Sequence, residues 1–199
     1  MYIDKEFIQK NILIAPEEEH PQKKPASKNE AFETKQQTLP EEEGLEEYND
    51  DPEAAFRKVE RLLSVRDRSV TEIISRLQRD RYTEHAINDA VERALRCGYL
   101  DDERFADGFI RSRLRAQKGI NGIVRDLKNH HIDAYGIPGF PDRFLEEQGS
   151  QLENALRLLE RKPPRAKNQK QAAYAKLIRN GFSSAIASSA VKTWVARQQ

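Results

Sequence analysis

Leu77 to Thr83 reads LQRDRYT, and the same outline returns fifty positions later as LKNHHID (Leu127 to Asp133) and again as LIRNGFS (Leu177 to Ser183). Each copy opens on leucine, runs through polar and basic residues, and ends on an apolar residue followed by a helix-capping one. Working outward, Val59, Phe109 and Leu159 share a column, as do Ile73, Ile123 and Ala173. Apolar positions that meet apolar positions at one spacing mark a tandem array of a single supersecondary unit, stacked because one copy alone leaves its apolar face in water. Such arrays present extended surfaces more often than enclosed pockets, so the repeat bears on function as well as fold.

Three helices fit each unit. Asp51 is placed to cap a helix that begins at Pro52, where the missing proline N–H has no intrahelical partner. Asp101 and Asp102 open the equivalent helix, and Glu53, Glu103 and Glu153 all fall in first turns, facing the positive end of the dipole. Apolar residues then recur at spacings of three and four: Phe56, Val59, Leu62 and Leu63 in unit one, Phe105, Phe109, Ile110 and Leu114 in unit two, Leu152, Leu156 and Leu159 in unit three. Ser69-Val-Thr-Glu72 is a capping-box sequence for the second helix, which presents Ile73, Ile74 and Leu77. Thr83 caps a third helix with Ala86, Ile87, Ala90, Val91 and Leu95 on one side, closed by Gly98. In unit three, Ala173 and Leu177 precede an Asn180-Gly181 stop, a Ser183 cap, and Ile186, Ala190, Val191 and Trp194.

Unit two departs from the plan. Tyr135-Gly-Ile-Pro-Gly-Phe-Pro141 occupies the place of its third helix, and an interior proline costs roughly 3 kcal/mol. A shortened or broken helix is expected there, pinned to the core by Phe140 and Phe144. The fold class expected is all-α: three tandem three-helix repeats of about fifty residues (51–100, 101–150 and 151–199) in an elongated, curved array.

Ahead of them lies an acidic leader, residues 1–50. Four prolines and the clusters Glu17–Glu19 and Glu41–Glu43 leave it too little apolar surface to offset its conformational entropy, so disorder is expected. The net charge of +1 conceals a division: residues 1–51 hold 6 Lys+Arg against 14 Asp+Glu, the remainder 28 against 19. This partition points to a polyanionic or acidic partner, to a leader that folds back over the body, or simply to solubility with a charged tail. A single cysteine, Cys97, excludes an internal disulfide and fits a reducing cytoplasm. The stretch Ile3 to Ile14 is broken by charges and is neither a signal-peptide core nor a membrane span.

Catalytic chemistry finds little support. Asp101, Asp102 and Glu103 could be taken for a metal or acid–base cluster, but capping of a helix start accounts for them. His20, His85, His130 and His131 lack ligand spacing with Cys97 or one another, and no Walker-type loop or nucleophile elbow is present. No metal, cofactor or catalytic residue is therefore expected. The basic residues say more. Arg111, Arg113, Arg115, Lys118, Arg125 and Lys128 fall within eighteen positions that contain one acid, Asp126. Arg111 and Arg115 stand at i and i+4, on one helix face, without an opposing charge to offset their repulsion. Arg66, Arg68, Arg76 and Arg79 in unit one, and Lys170, Lys176 and Arg179 in unit three, extend the stripe. A face repeated three times suits a repeating polymer, which it binds with avidity.

Cys97-Gly98-Tyr99-Leu100-Asp101-Asp102-Glu103-Arg104-Phe105-Ala106 resembles the Gly-Tyr-Leu-Asp-Asp-x-Arg-Phe junction of the RecX family, bacterial regulators of the RecA recombinase. Leu62-Leu63-Ser-Val-Arg66-Asp67-Arg68-Ser69, with Glu72 and Leu77, is similar to the family's first repeat, and Leu177-Ile-Arg-Asn-Gly-Phe-Ser183 supports the match. The resemblance covers about 54–135 well and 152–195 moderately, with Gly98, Tyr99, Leu100, Asp101, Asp102 and Phe105 as its structural signature. Three features depart from it: the Gly/Pro insertion in unit two, the acidic leader, and Arg81 and His131 where a turn glycine is common. If φ is positive at these last two, each adds about 1 kcal/mol of strain.

The resemblance implies a cytoplasmic, monomeric, non-enzymatic modulator that lies in the groove of the RecA–DNA filament. It would bridge protomers and suppress ATP turnover, strand exchange and repressor co-cleavage. The alternative is an autonomous, sequence-independent DNA-binding protein. The second and third helices of units one and three look loosely like helix-turn-helix pairs, although Ser183, Ser184, Ser188 and Ser189 make a poor base-reading helix. Contact with single- or double-stranded DNA would then be weak, through phosphates, and steeply salt-dependent.

Overall fold

The structure, a computed structural model, describes residues 48–198; the disorder expected of the leader falls almost entirely outside the described residues. Among those described, nine α-helices follow one another without a strand: α1 (Pro52–Leu63), α2 (Val70–Arg79), α3 (Glu84–Arg96), α4 (Asp102–Arg115), α5 (Ile120–Lys128), α6 (Asp142–Gln148), α7 (Gln151–Arg161), α8 (Gln169–Arg179) and α9 (Ser184–Ala196). A short 3-10 turn, Ala134–Gly136, lies between α5 and α6.

The expected caps form. Asp51 accepts from the Glu53 N–H at 2.9 Å, Thr83 from Ala86 at 3.2 Å and Ser183 from Ile186 at 3.3 Å. Asp133, in the same column, caps the 3-10 turn through the Tyr135 N–H at 3.1 Å. The turns before these caps share a left-handed residue: φ is 60° at Arg81, 57° at His131 and 87° at Gly181. The strain expected at the two non-glycine members is therefore present.

Three apolar clusters follow the repeat. The first joins Phe56, Val59, Ile73, Leu77, Ile87 and Val91; the second Ile110, Leu114, Ile123, Leu127 and Phe144; the third Leu156, Leu159, Leu177, Phe182 and Trp194. Leu77, Leu127 and Leu177 are each wholly buried, as the register requires. In unit two the third helix is broken, as expected, into the 3-10 turn and the seven-residue α6. Phe144 is nevertheless wholly buried at the column position of Ala94 and Trp194, so a bulkier side chain fills the space left by a shorter helix. Phe140 packs beside it, ring centroids 6.2 Å apart.

Two expectations need correction. Tyr99, whose place in the junction signature between units one and two would make it core, is about half exposed and stacks on the Phe56 ring, centroids 6.2 Å apart. Ser69 accepts from Glu72 N–H at 3.2 Å, but the Glu72 carboxylate does not complete the box; it turns to Arg66 at 2.9 Å and Arg68 at 3.4 Å. Two cations draw the carboxylate more strongly than one backbone amide. A full capping box appears at Ser150 and Glu153 instead.

Candidate interaction surface

The units are joined by one arrangement used repeatedly. The start of the second helix of one unit meets the turn after the second helix of the next. Between units one and two, Ser69 Oγ lies 3.0 Å from His130 Nδ1, and the Thr71 hydroxyl donates to the His130 carbonyl at 3.0 Å. Between units two and three, the register equivalents take over: Gly119 N–H donates to the Asn180 carbonyl at 2.9 Å and Gly122 N–H to the Gly181 carbonyl at 3.2 Å. A Cβ on Gly119 would stand 2.3 Å from the Gly181 carbonyl, and one on Gly181 would stand 2.3 Å from Gly122. Only glycine permits this approach. The turn of unit one receives the chain just ahead of α1: Asn49 N–H donates to the Arg81 carbonyl at 2.8 Å, and Thr83 N–H returns to the Asn49 carbonyl at 3.0 Å.

The 98–105 segment forms the hinge of the first junction. Gly98 has φ 70°, Leu100 is buried, and Arg104 reaches back to the carbonyls of Gly98 at 3.2 Å and Tyr99 at 2.9 Å. Phe105 is buried against the His130 ring, 5.1 Å away. Asp101 caps α4, accepting from Glu103 at 2.9 Å and Arg104 at 3.0 Å. Asp102 does something the sequence did not disclose: it accepts from Val70 N–H at 2.9 Å and so caps α2, across the junction. Burial pushes its carboxyl up to about 6, against the lowering effect of that amide, with Asp101 adding to the rise. Burial likewise holds the His130 imidazole below its ordinary value, partly offset by Glu72 at 3.9 Å.

The thirteen candidate basic residues divide into two groups. Arg66 and Arg68 pair with Glu72, Arg76 lies 3.8 Å from Asp80, and Arg113 lies 3.4 Å from Asp126 while stacking over Phe109. Arg111, read as lacking an opposing charge, bonds Asp107 at 2.8 Å and pairs with Glu147. Its partners lie outside the eighteen-residue window, one helical turn upstream and on α6, which explains the misreading. Lys176 donates to the Lys162 carbonyl, and burial together with Lys162 and Arg161 lowers its ammonium pKa. Arg79, Arg115, Lys118, Arg125, Lys128, Lys170 and Arg179 form no ion pair among the described residues.

Basic residues, some paired and some not, recur at the ends of the second helices. The last turn of every second helix carries two basic residues: Arg76 and Arg79, Arg125 and Lys128, Lys176 and Arg179. Each pair sits beside the turn that docks the preceding segment, and in the second docking contact Lys118 and Arg179 are the chain neighbours of the bonded Gly119 and Asn180. The negative end of each helix dipole offsets part of the repulsion within a pair. Among the described residues no group of three His, Cys, Asp or Glu side chains is placed to hold a metal, and no helix is long and apolar enough to cross a membrane. The best-formed depressions are open ones, lined by Lys167–Lys170 with Val195 and Gln198, and by Tyr48–Asp51.

The fold is that of a tandem three-helix-repeat protein. Models of the first and second three-helix domains of RecX match residues 55–93 and 101–137. A regulatory protein RecX from Chlorobium phaeobacteroides is 42% identical over 109 residues, covering 47% of this chain and 72% of that protein. One from Bacillus licheniformis is 29% identical over 152 residues, covering 73% of this chain but 57% of its own length. The crystal structure of RecX from Lactobacillus salivarius superposes with a TM-score of 0.53 at 17% identity, over 73% of this chain and 97% of that one. A second RecX crystal structure gives 0.59 at 21% identity, over 71% and 73%. The chain belongs to the RecX family of regulatory proteins.

Proposed function

We propose that this chain is a cytoplasmic, non-enzymatic regulator of the RecA recombinase that binds along the RecA–DNA filament and mainly inhibits it. The observation that carries the reading is the basic pair closing the second helix of each unit. Three such pairs, held at repeated positions by repeated docking, suit a target that itself repeats, and each contact raises the effective concentration of the next. A monomer spanning neighbouring protomers would resist the movements coupled to ATP turnover and obstruct incoming DNA. Arg79, Arg125, Lys128 and Arg179, unpaired at the helix ends, are the residues assigned to the partner, with Arg115, Lys118 and Lys170 beside them.

The test is RecA ATP hydrolysis on single-stranded DNA with rising amounts of the purified protein. Hydrolysis should fall, and Arg125→Glu with Lys128→Glu should shift the inhibition curve to higher protein. Unchanged hydrolysis at saturating wild-type protein sinks the proposal. A gel shift without recombinase, at two salt concentrations, separates this reading from autonomous DNA binding, in which DNA alone would be retained and released by salt.

A further inference from the structure

We propose that Lys176 is a site of covalent acylation, taking its acyl group from a small anionic acyl phosphate. The last turns of α7 and α8 meet at this corner. Lys162 is the C-cap of α7, and the Lys176 side chain donates an N–H to its carbonyl. That bond holds Nζ over a helix end whose last carbonyls lack intrahelical partners. Pro163 and Pro164 follow at once and stiffen the turn that presents the acceptor. Arg161, the last residue of α7, stands next to Lys162.

The charges around Nζ are of one sign. From Arg161 to Gln199 the sequence holds nine Lys and Arg and no Asp or Glu, so no carboxylate of this stretch can neutralise the corner. Glu160, the acid nearest in the chain, is engaged by Arg197 at 2.6 Å. Burial disfavours the Lys176 ammonium first, and the positive charges of Lys162 and Arg161 disfavour it further. Both of those cations are exposed and form no ion pair among the described residues. A lysine beside other cations and partly withdrawn from water holds a larger share of free, nucleophilic amine. The bond to the carbonyl leaves that amine reactive, because a neutral amine donates through N–H and keeps its lone pair. Lys58 is the contrary case, its ammonium held by Asp80 at 2.7 Å.

The same two cations select the donor. An acyl phosphate carries its negative charge beside the reacting carbonyl, so Arg161 and Lys162 hold the phosphoryl group while Nζ faces the acyl carbon. In the transfer the Nζ lone pair forms the new C–N bond. The bond from the acyl carbon to the phosphate oxygen breaks, and phosphate leaves with that electron pair. The proton shed by nitrogen passes to the departing phosphate or to water. The product amide is uncharged, which removes one member of the basic pair at the end of α8. The site itself does not rest on what that pair binds.

The experiment incubates the full chain with acetyl phosphate at neutral pH and follows acetylation at each lysine by mass spectrometry. Lys176 should be acetylated about fivefold faster than Lys58 or Lys192. A variant with Arg161→Gln and Lys162→Gln keeps the main-chain acceptor and should bring Lys176 down to the rate of Lys192. Acetic anhydride, an uncharged donor, should also favour Lys176 but by less, since it offers the two cations no phosphoryl group. Lys176 modified no faster than Lys58 and Lys192, or at an unchanged rate in the double variant, overturns the proposal. Equal preference with the two donors overturns the choice of an acyl phosphate. RecA enters none of these readouts, so a failure of the recombinase reading is seen separately in the ATPase assay.

Discussion

Replacing Asp102 by asparagine should stabilise the protein at neutral pH, although the wild-type side chain makes a good hydrogen bond. Asp102 is largely buried at the first junction, where its carboxylate accepts from Val70 N–H at 2.9 Å. Its carboxyl is raised from 3.8 to about 6, chiefly by burial. Between those two values the folded chain binds more protons than the unfolded one, so stability falls as pH rises through that window and is greatest below it. A difference of about two units corresponds to up to about 3 kcal/mol at neutral pH. Asparagine keeps the carbonyl oxygen for Val70 and carries no charge to desolvate. The assay is urea denaturation of wild type and Asp102→Asn between pH 4 and 8. The difference should be near zero at pH 4 and grow to a variant advantage on the order of 2–3 kcal/mol above pH 7. His130, whose lowered pKa acts in the opposite sense, is present in both proteins and cancels from the difference. A variant no more stable at pH 7.5, or a difference that does not change with pH, would refute the reasoning.

Leu127→Ala should cost about 2–5 kcal/mol, seen as a lower melting temperature, because Leu127 is wholly buried in the second cluster. Gly119→Ala forces a Cβ to within 2.3 Å of the Gly181 carbonyl and should cost about 1–3 kcal/mol in denaturant unfolding, whereas Gly108→Ala, in open space, should not. Arg111→Ala breaks the bonds to Asp107 and Glu147 and the contact over Phe144, so it should lower stability more than Arg115→Ala, which has no ion pair to lose. Thermal melts of the two variants side by side decide this.

The repeat was legible because burial is a one-dimensional pattern: Leu77, Leu127 and Leu177 announce the register without reference to any neighbour. Caps at Asp51, Thr83 and Ser183 were legible for the same reason, since a cap acts within three residues. The broken helix of unit two followed from its prolines. What escaped the sequence lies across junctions. Asp102 reads as a cap for its own helix and serves another one thirty-two residues back. Glu72 reads as half of a capping box until Arg66 and Arg68 claim it. Arg111 reads as unopposed until α6 brings Glu147 beside it. Charge counted along a chain finds basic composition, but pairing in space decides which cations remain available.

The two docking contacts differ in what they are made of. Between units two and three, main chain rests on main chain at Gly119, Gly122 and Gly181, with no rotamer available to absorb a shift. Between units one and two, the seam runs through the side chains of Ser69, Thr71, Asp102 and His130, each able to re-aim about its own bonds. Units two and three should therefore be the more rigidly joined pair, with adjustment concentrated between units one and two.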